Sequence, residues 1–159
     1  MAAEHHILSV LVENKAGVLS RVSGLFTRRG YNIFSLAVSP TEDERYSRMT
    51  VVVDGESAPI EQVTKQLNKL IPVIEIRELA ASDAVERELM LIKVKGTHRT
   101  EVLQLADVFR ARVVDVTADH VTIEGTGSPA KLASLVEVLT PYGVKEIVQS
   151  GIVALSRGA

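Results

Sequence analysis

The sequence predicts an α+β chain of two tandem units, each ordered strand-helix-strand-strand-helix-strand. Three observations carry this. Short β-branched and aliphatic runs alternate with segments of helical period along the whole chain. One full set of six elements closes near Leu79, and a second set starts near Leu89. Between them, Ala80-Ala81-Ser82-Asp83-Ala84-Val85-Glu86-Arg87 is small and charged without a strong period, and reads as a linker with a short helical turn. The order is the ferredoxin-like one, in which two helices cover one face of a four-stranded sheet. The expected domains are 1–80 and 81–159, each of about eighty residues, small but viable.

In the first half, His5 to Val12 reads as a largely buried strand. A helix from about Gly17 to Arg29 follows, with Val18, Leu19, Val22, Leu25 and Phe26 on one face and Gly30 as its stop. Tyr31 to Ser39 and Tyr46 to Val53 are strands joined by the polar turn Pro40 to Arg45. Glu42, Asp43 and Glu44 read there as a solvated hairpin tip rather than a metal site. A second helix spans about Ala58 to Leu70, Pro72 ends it, and Val73 to Leu79 is the fourth strand.

The second half repeats the pattern with little residue identity. Leu89 to Val94 is a strand. Thr100 to Phe109 is a helix with Val102, Leu105 and Phe109 inward. Arg112 to Thr117 and His120 to Glu124 form a hairpin around Ala118-Asp119. Ser128 caps a helix over Pro129 to Leu139, with Pro129 at its first position. Val144 to Leu155 is a strand with a bulge or break at Gly151.

Composition removes several functions. The 159 residues contain no Cys, which excludes disulfides, Cys-ligated zinc and thiol catalysis. The formal net charge of -2 gives no broad electrostatic attraction to nucleic acid or an anionic membrane. Met1-Ala2-Ala3-Glu4-His5-His6 lacks the pattern of a signal peptide, and no apolar run reaches membrane-spanning length. A soluble cytoplasmic protein is expected.

The stretch with most chemical promise is Glu13 to Phe26. Asn14 can cap the helix or bend the chain before it. Gly17 lets a ligand approach the backbone. Free N–H groups and the positive end of the helix dipole over Gly17 and Val18 suit a carboxylate. The Asn14 side-chain carbonyl could accept from an ammonium group. Such a corner suits a free amino acid, and the same residues equally suit an ordinary strand-to-helix turn.

Other candidates read more plainly. Glu124-Gly125-Thr126-Gly127-Ser128-Pro129 lacks the lysine and spacing of a phosphate loop. His5 and His6 point to opposite faces of a strand and cannot easily chelate together. Lys95-Gly96-Thr97-His98-Arg99 takes the place of Asn14 to Gly17 in the second half and reads as a solvated loop. No nucleophile elbow or catalytic acid pair is present, so no enzyme is expected. RNA-recognition modules share this strand-helix order, but the first strand has no aromatic residue and the third offers only Tyr46. The first sheet has apolar residues on both faces, among them Ile7 and Leu11 opposite Leu8, Val10 and Val12. Helices cover one face, so the second face or an edge is expected to meet another sheet.

The run Ile7 to Asn14, then Gly17 to Val22, then Leu25 to Ile33, resembles an ACT domain. More narrowly it is similar to the regulatory (small) subunit of acetohydroxyacid synthase, also called acetolactate synthase. Ser47-Arg48-Met49-Thr50, Gln66 to Leu70, Val85 to Leu89 and the ending Ser150 to Gly158 fit the same family. The resemblance implies a non-catalytic subunit without a cofactor of its own. Its partner would be a catalytic subunit using thiamine diphosphate, a divalent metal and FAD, which it would activate and make sensitive to feedback by valine. The ACT domains would form a homodimer with effector sites between them. Asn14, Lys15, Ala16, Gly17, Val18 and Leu19 would come from one chain, and Asn32 and Ile33 from the other. Phe34 departs from the acidic residue relatives often carry there. An ACT-type sensor acting on another enzyme or on transcription is the rival expectation.

Overall fold

The computed structural model describes residues 5–54 and 60–158. The chain forms two compact units. The first runs to Val85 and regains the chain from Ile152 onward, and the second is Glu86–Gly151.

In the first unit, β1 (His5–Glu13), β2 (Ile33–Pro40), β3 (Tyr46–Asp54) and β4 (Val73–Leu79) form an antiparallel sheet in the order β2-β3-β1-β4. Helices α1 (Val18–Arg28) and α2 (Ile60–Asn68) connect them; the expected start of the second helix at Ala58 lies outside the described residues. Apolar residues at helical spacing place Val18, Val22, Leu25 and Phe26 of α1 and Val63 and Leu67 of α2 on one side of the sheet. They meet Leu8, Val10 and Val12 of β1 and Met49, Val51 and Val53 of β3. Each such buried aliphatic side chain contributes about 1.5–3 kcal/mol. Gly30, at φ 76°, turns the chain out of α1, and its N–H reaches Thr27 O at 3.1 Å.

The opposite face is covered from within the chain. A last strand, β9 (Val153–Ser156), belongs to the first unit. Ile152 and Ala154 bury against Ile7, Val52 and Leu79. The Ile152 N–H donates to Ser35 Oγ at 2.8 Å, and the Arg157 N–H to Asp83 O at 2.7 Å. The apolar residues Ile7 and Val52 on this face thus receive the C-terminal segment. The last residues, expected to lie with the second half, are drawn to the first by this small apolar cluster.

The second unit repeats the arrangement. Its strands are β5 (Ala84–Lys95), β6 (Arg112–Val116), β7 (His120–Gly127) and β8 (Val144–Gln149), in the order β6-β7-β5-β8. Helices α3 (Arg99–Val108) and α4 (Pro129–Leu139) cover one face. Val102, Ala106, Leu132, Leu135 and Leu139 pack on Met90, Ile92, Val94, Val121 and Ile123. Ser128 caps α4, its hydroxyl accepting from Lys131 N–H at 3.3 Å. One detail differs from expectation: the linker is only a 3-10 turn over Ala81–Asp83, because β5 already starts at Ala84. The final strand is broken at Gly151 as expected, with φ 89° there between β8 and β9.

Candidate functional site

β1 delivers the chain to Asn14 and α1 takes it up at Val18, so residues 14–17 form a tight corner. Gly17 occupies the N-cap position with φ 85° and ψ -10°, a left-handed geometry that glycine adopts without strain. A Cβ built there would meet nothing within 4 Å, so the space above Gly17 is open. The Val18 N–H turns back to Lys15 O at 3.4 Å. The N–H groups of Gly17, Leu19 and Ser20 have no acceptor among the described residues. These donors sit in the first turn of α1, at the positive end of its dipole, while the Val18 N–H is not among them. The Val18 side chain is buried in the core and adds only backbone, whereas Lys15, Ala16 and Leu19 are exposed.

Asn14 does not cap the helix, since Gly17 holds that position. Its N–H donates to Arg45 O at 2.8 Å, and its Nδ2 donates to Glu44 O at 3.0 Å. The side-chain carbonyl is left available as an acceptor. The sequence reading missed this support from the turn at 41–46. That turn is fixed by Asp43, which accepts from Arg45 Nη2 at 2.6 Å and from Arg45 Nε. The Arg45 guanidinium holds the Asp43 carboxyl down at about 2, so the pair stays charged at any working pH. The alternating acids and arginine of this tip read only as solvated charge, because the pair serves the turn and not the sheet.

Asn32 and Ile33 lie elsewhere. The Asp54 N–H donates to Asn32 O at 3.2 Å, and Asn32 Nδ2 donates to Asp54 Oδ2 at 2.6 Å. Ile33 pairs with Val53. Asp54 faces His5 at the start of β1, whereas Tyr46 faces Glu13 at its end. Over the nine residues of β1, at about 3.4 Å per residue, the two groups are about 27 Å apart. One chain does not bring Asn14 to Leu19 and Asn32 to Ile33 together. His5 Nε2 lies 3.4 Å from Asp54 Oδ1 and His6 Nδ1 lies 2.7 Å from Glu78 Oε1, the two histidines serving opposite faces.

Residues 8–75 match the family model for the ACT domain of AHAS small subunit-like proteins. Residues 87–158 match the model for the small subunit of acetolactate synthase. The acetolactate synthase small subunit of Mycolicibacterium smegmatis is 57% identical over 96% of this chain and 91% of its own length. The chain belongs to the acetolactate synthase small-subunit family. Its relative in Mycobacterium leprae is 56% identical over 96% of this chain and 92% of its own. The crystal structure of the small subunit from Thermotoga maritima has a TM-score of 0.89 at 38% identity, covering 98% of this chain and 99% of that one. The tandem ferredoxin-like fold is therefore that of the family, and the corner at Gly17 belongs to its ACT domain. Among the described residues no helix is long and apolar enough to cross a membrane.

Proposed function

We propose that this chain is the regulatory subunit of an acetolactate synthase, raising the activity of the catalytic subunit and conferring feedback inhibition by valine. The catalytic subunit would carry thiamine diphosphate, a divalent metal and FAD. In this reading a valine carboxylate meets the open N–H groups at Gly17, Leu19 and Ser20, and its ammonium group meets the Asn14 side-chain carbonyl. Lys15, Ala16 and Val18 shape the corner.

The observation that carries the reading is the separation of the two residue groups along β1. β1 and β2 both run antiparallel to β3, so they point the same way. β2 is an edge strand, with Phe34 and Val38 exposed. If two copies pair along this edge about a two-fold axis normal to the sheet, the partner's β2 runs in reverse. The partner's Asn32 and Ile33 then come to the end of the sheet that carries Asn14 to Leu19. Each homodimer would hold two such composite sites, and a monomer none.

The test is reconstitution with the catalytic subunit, measuring acetolactate formation across a valine titration. Activation by this chain, and inhibition by valine only in its presence, is the expected result. Lack of association with the catalytic subunit would favour a sensor acting on another target.

A further inference from the structure

The outer face of the first sheet carries a polar track beside the returned C-terminal segment. Ser9 pairs with Thr50, and Arg48 pairs with Ser39, so all four side chains share this face. Ser9 and Thr50 are buried, and Arg48 is half-buried. One Arg48 N–H donates to Ser9 Oγ at 2.8 Å. No carboxylate among the described residues forms an ion pair with it. A guanidinium stays protonated, so Arg48 holds an uncompensated charge partly withdrawn from water.

Arg48 lines a groove of about 260 Å³ together with Ala37, Ser39, Thr50, Val153 and Ala154. We propose that this groove is a second ligand site, separate from the corner at Gly17, and takes a small monocarboxylate with a short aliphatic tail. The carboxylate meets the planar fork of Arg48, the geometry that suits a guanidinium best. The Ser39 and Thr50 hydroxyls supply further donors. The tail lies against Ala37, Ala154 and Val153. One cation with Glu42 also on the lining selects against phosphate and dicarboxylates. The volume lies below the roughly 300 Å³ at which drug-sized sites begin, so the ligand is small. Because Val153 and Ala154 form one wall, a bound ligand also holds the C-terminal segment against the sheet.

The probe is 3-methylbutanoate, titrated into the full chain by NMR, with its uncharged amide and inorganic phosphate as comparisons. Saturable shifts at Arg48, Thr50 and Val153 are expected with the carboxylate. The amide should bind at least about tenfold more weakly, as should the carboxylate to Arg48→Gln. Ser39→Asp gives Arg48 a carboxylate directly across the strand pair, and should abolish binding without lowering the melting temperature. Gly17→Asp should bind the probe as wild type does, which separates this site from the proposed effector corner. Equal binding of the amide, equal binding of phosphate, wild-type binding by Ser39→Asp, or shifts confined to residues 14–19 would each overturn the proposal.

Discussion

Replacing Gly17 by Asp and, separately, by Asn divides charge from shape at the proposed effector corner. Both side chains must accept φ 85°, and both are among the residues that tolerate it best. Neither Cβ meets a neighbour within 4 Å, so both proteins should fold. Their bulk is nearly equal, and only Asp places a negative charge over the open N–H groups. At about 5 Å from a ligand carboxylate and an effective dielectric of about 20, the repulsion is about 3 kcal/mol. That is over a hundredfold in valine affinity. The assay is acetolactate formation by the reconstituted enzyme across a valine titration, with thermal melting of each variant as the folding control. Gly17→Asp should lose inhibition while retaining activation, and Gly17→Asn should lose markedly less. Equal shifts in the two variants would refute a carboxylate at this corner. Parallel loss of activation and inhibition would assign Gly17 to the fold or the subunit contact.

Asn14→Ala removes the proposed acceptor and its tie to Glu44 O, and should weaken valine inhibition by about tenfold to a hundredfold, read in the same titration. Ile152→Ala opens the cluster on Ile7, Val52 and Leu79, and should destabilise the first unit by about 2 kcal/mol in chemical denaturation; an unchanged midpoint would contradict the docking of the C-terminal segment. Burial pushes the Glu88 carboxyl up, with a hydrogen bond from Gln149 opposing. The folded chain then holds that proton more tightly than the unfolded one, so stability is lost as pH rises through the carboxylate range. Glu88→Gln should raise the melting temperature at neutral pH and change it little below the ordinary value of 4.5. Ser128→Ala removes the α4 cap and should cost about 1 kcal/mol by the same denaturation measurement.

Much of the fold was legible because local signals agreed with tertiary ones. Ser128 and Pro129 fixed the start of α4, Gly30 closed α1, and alternation separated Leu8, Val10 and Val12 from Ile7 and Leu11. What was not legible depended on contacts distant in sequence. Nothing local in Val153–Ser156 says which sheet those residues join; that is decided by the gap above Ile7 and Val52. For the same reason a fragment ending near Ala80 would lack the cover of its own outer face. At the site, Asn14 and Gly17 were visible as a pair of special residues, but their roles were not. A capping side chain and a residue tied to a distant turn have the same sequence signature, and only the geometry of Arg45 and Glu44 separates them.

The composite effector site is tested most directly by mixing two defective chains. One carries Gly17→Asp and the other Asn32→Ala, and each alone should give an activated enzyme insensitive to valine. In mixed homologous pairs, one of the two sites would receive its loop from the Asn32→Ala chain and its strand from the Gly17→Asp chain, and would be intact. The account predicts that valine inhibition returns in part on mixing and follows the fraction of mixed dimers. Absence of any recovery, with mixed dimers verified by native mass spectrometry, would contradict a site shared between two copies.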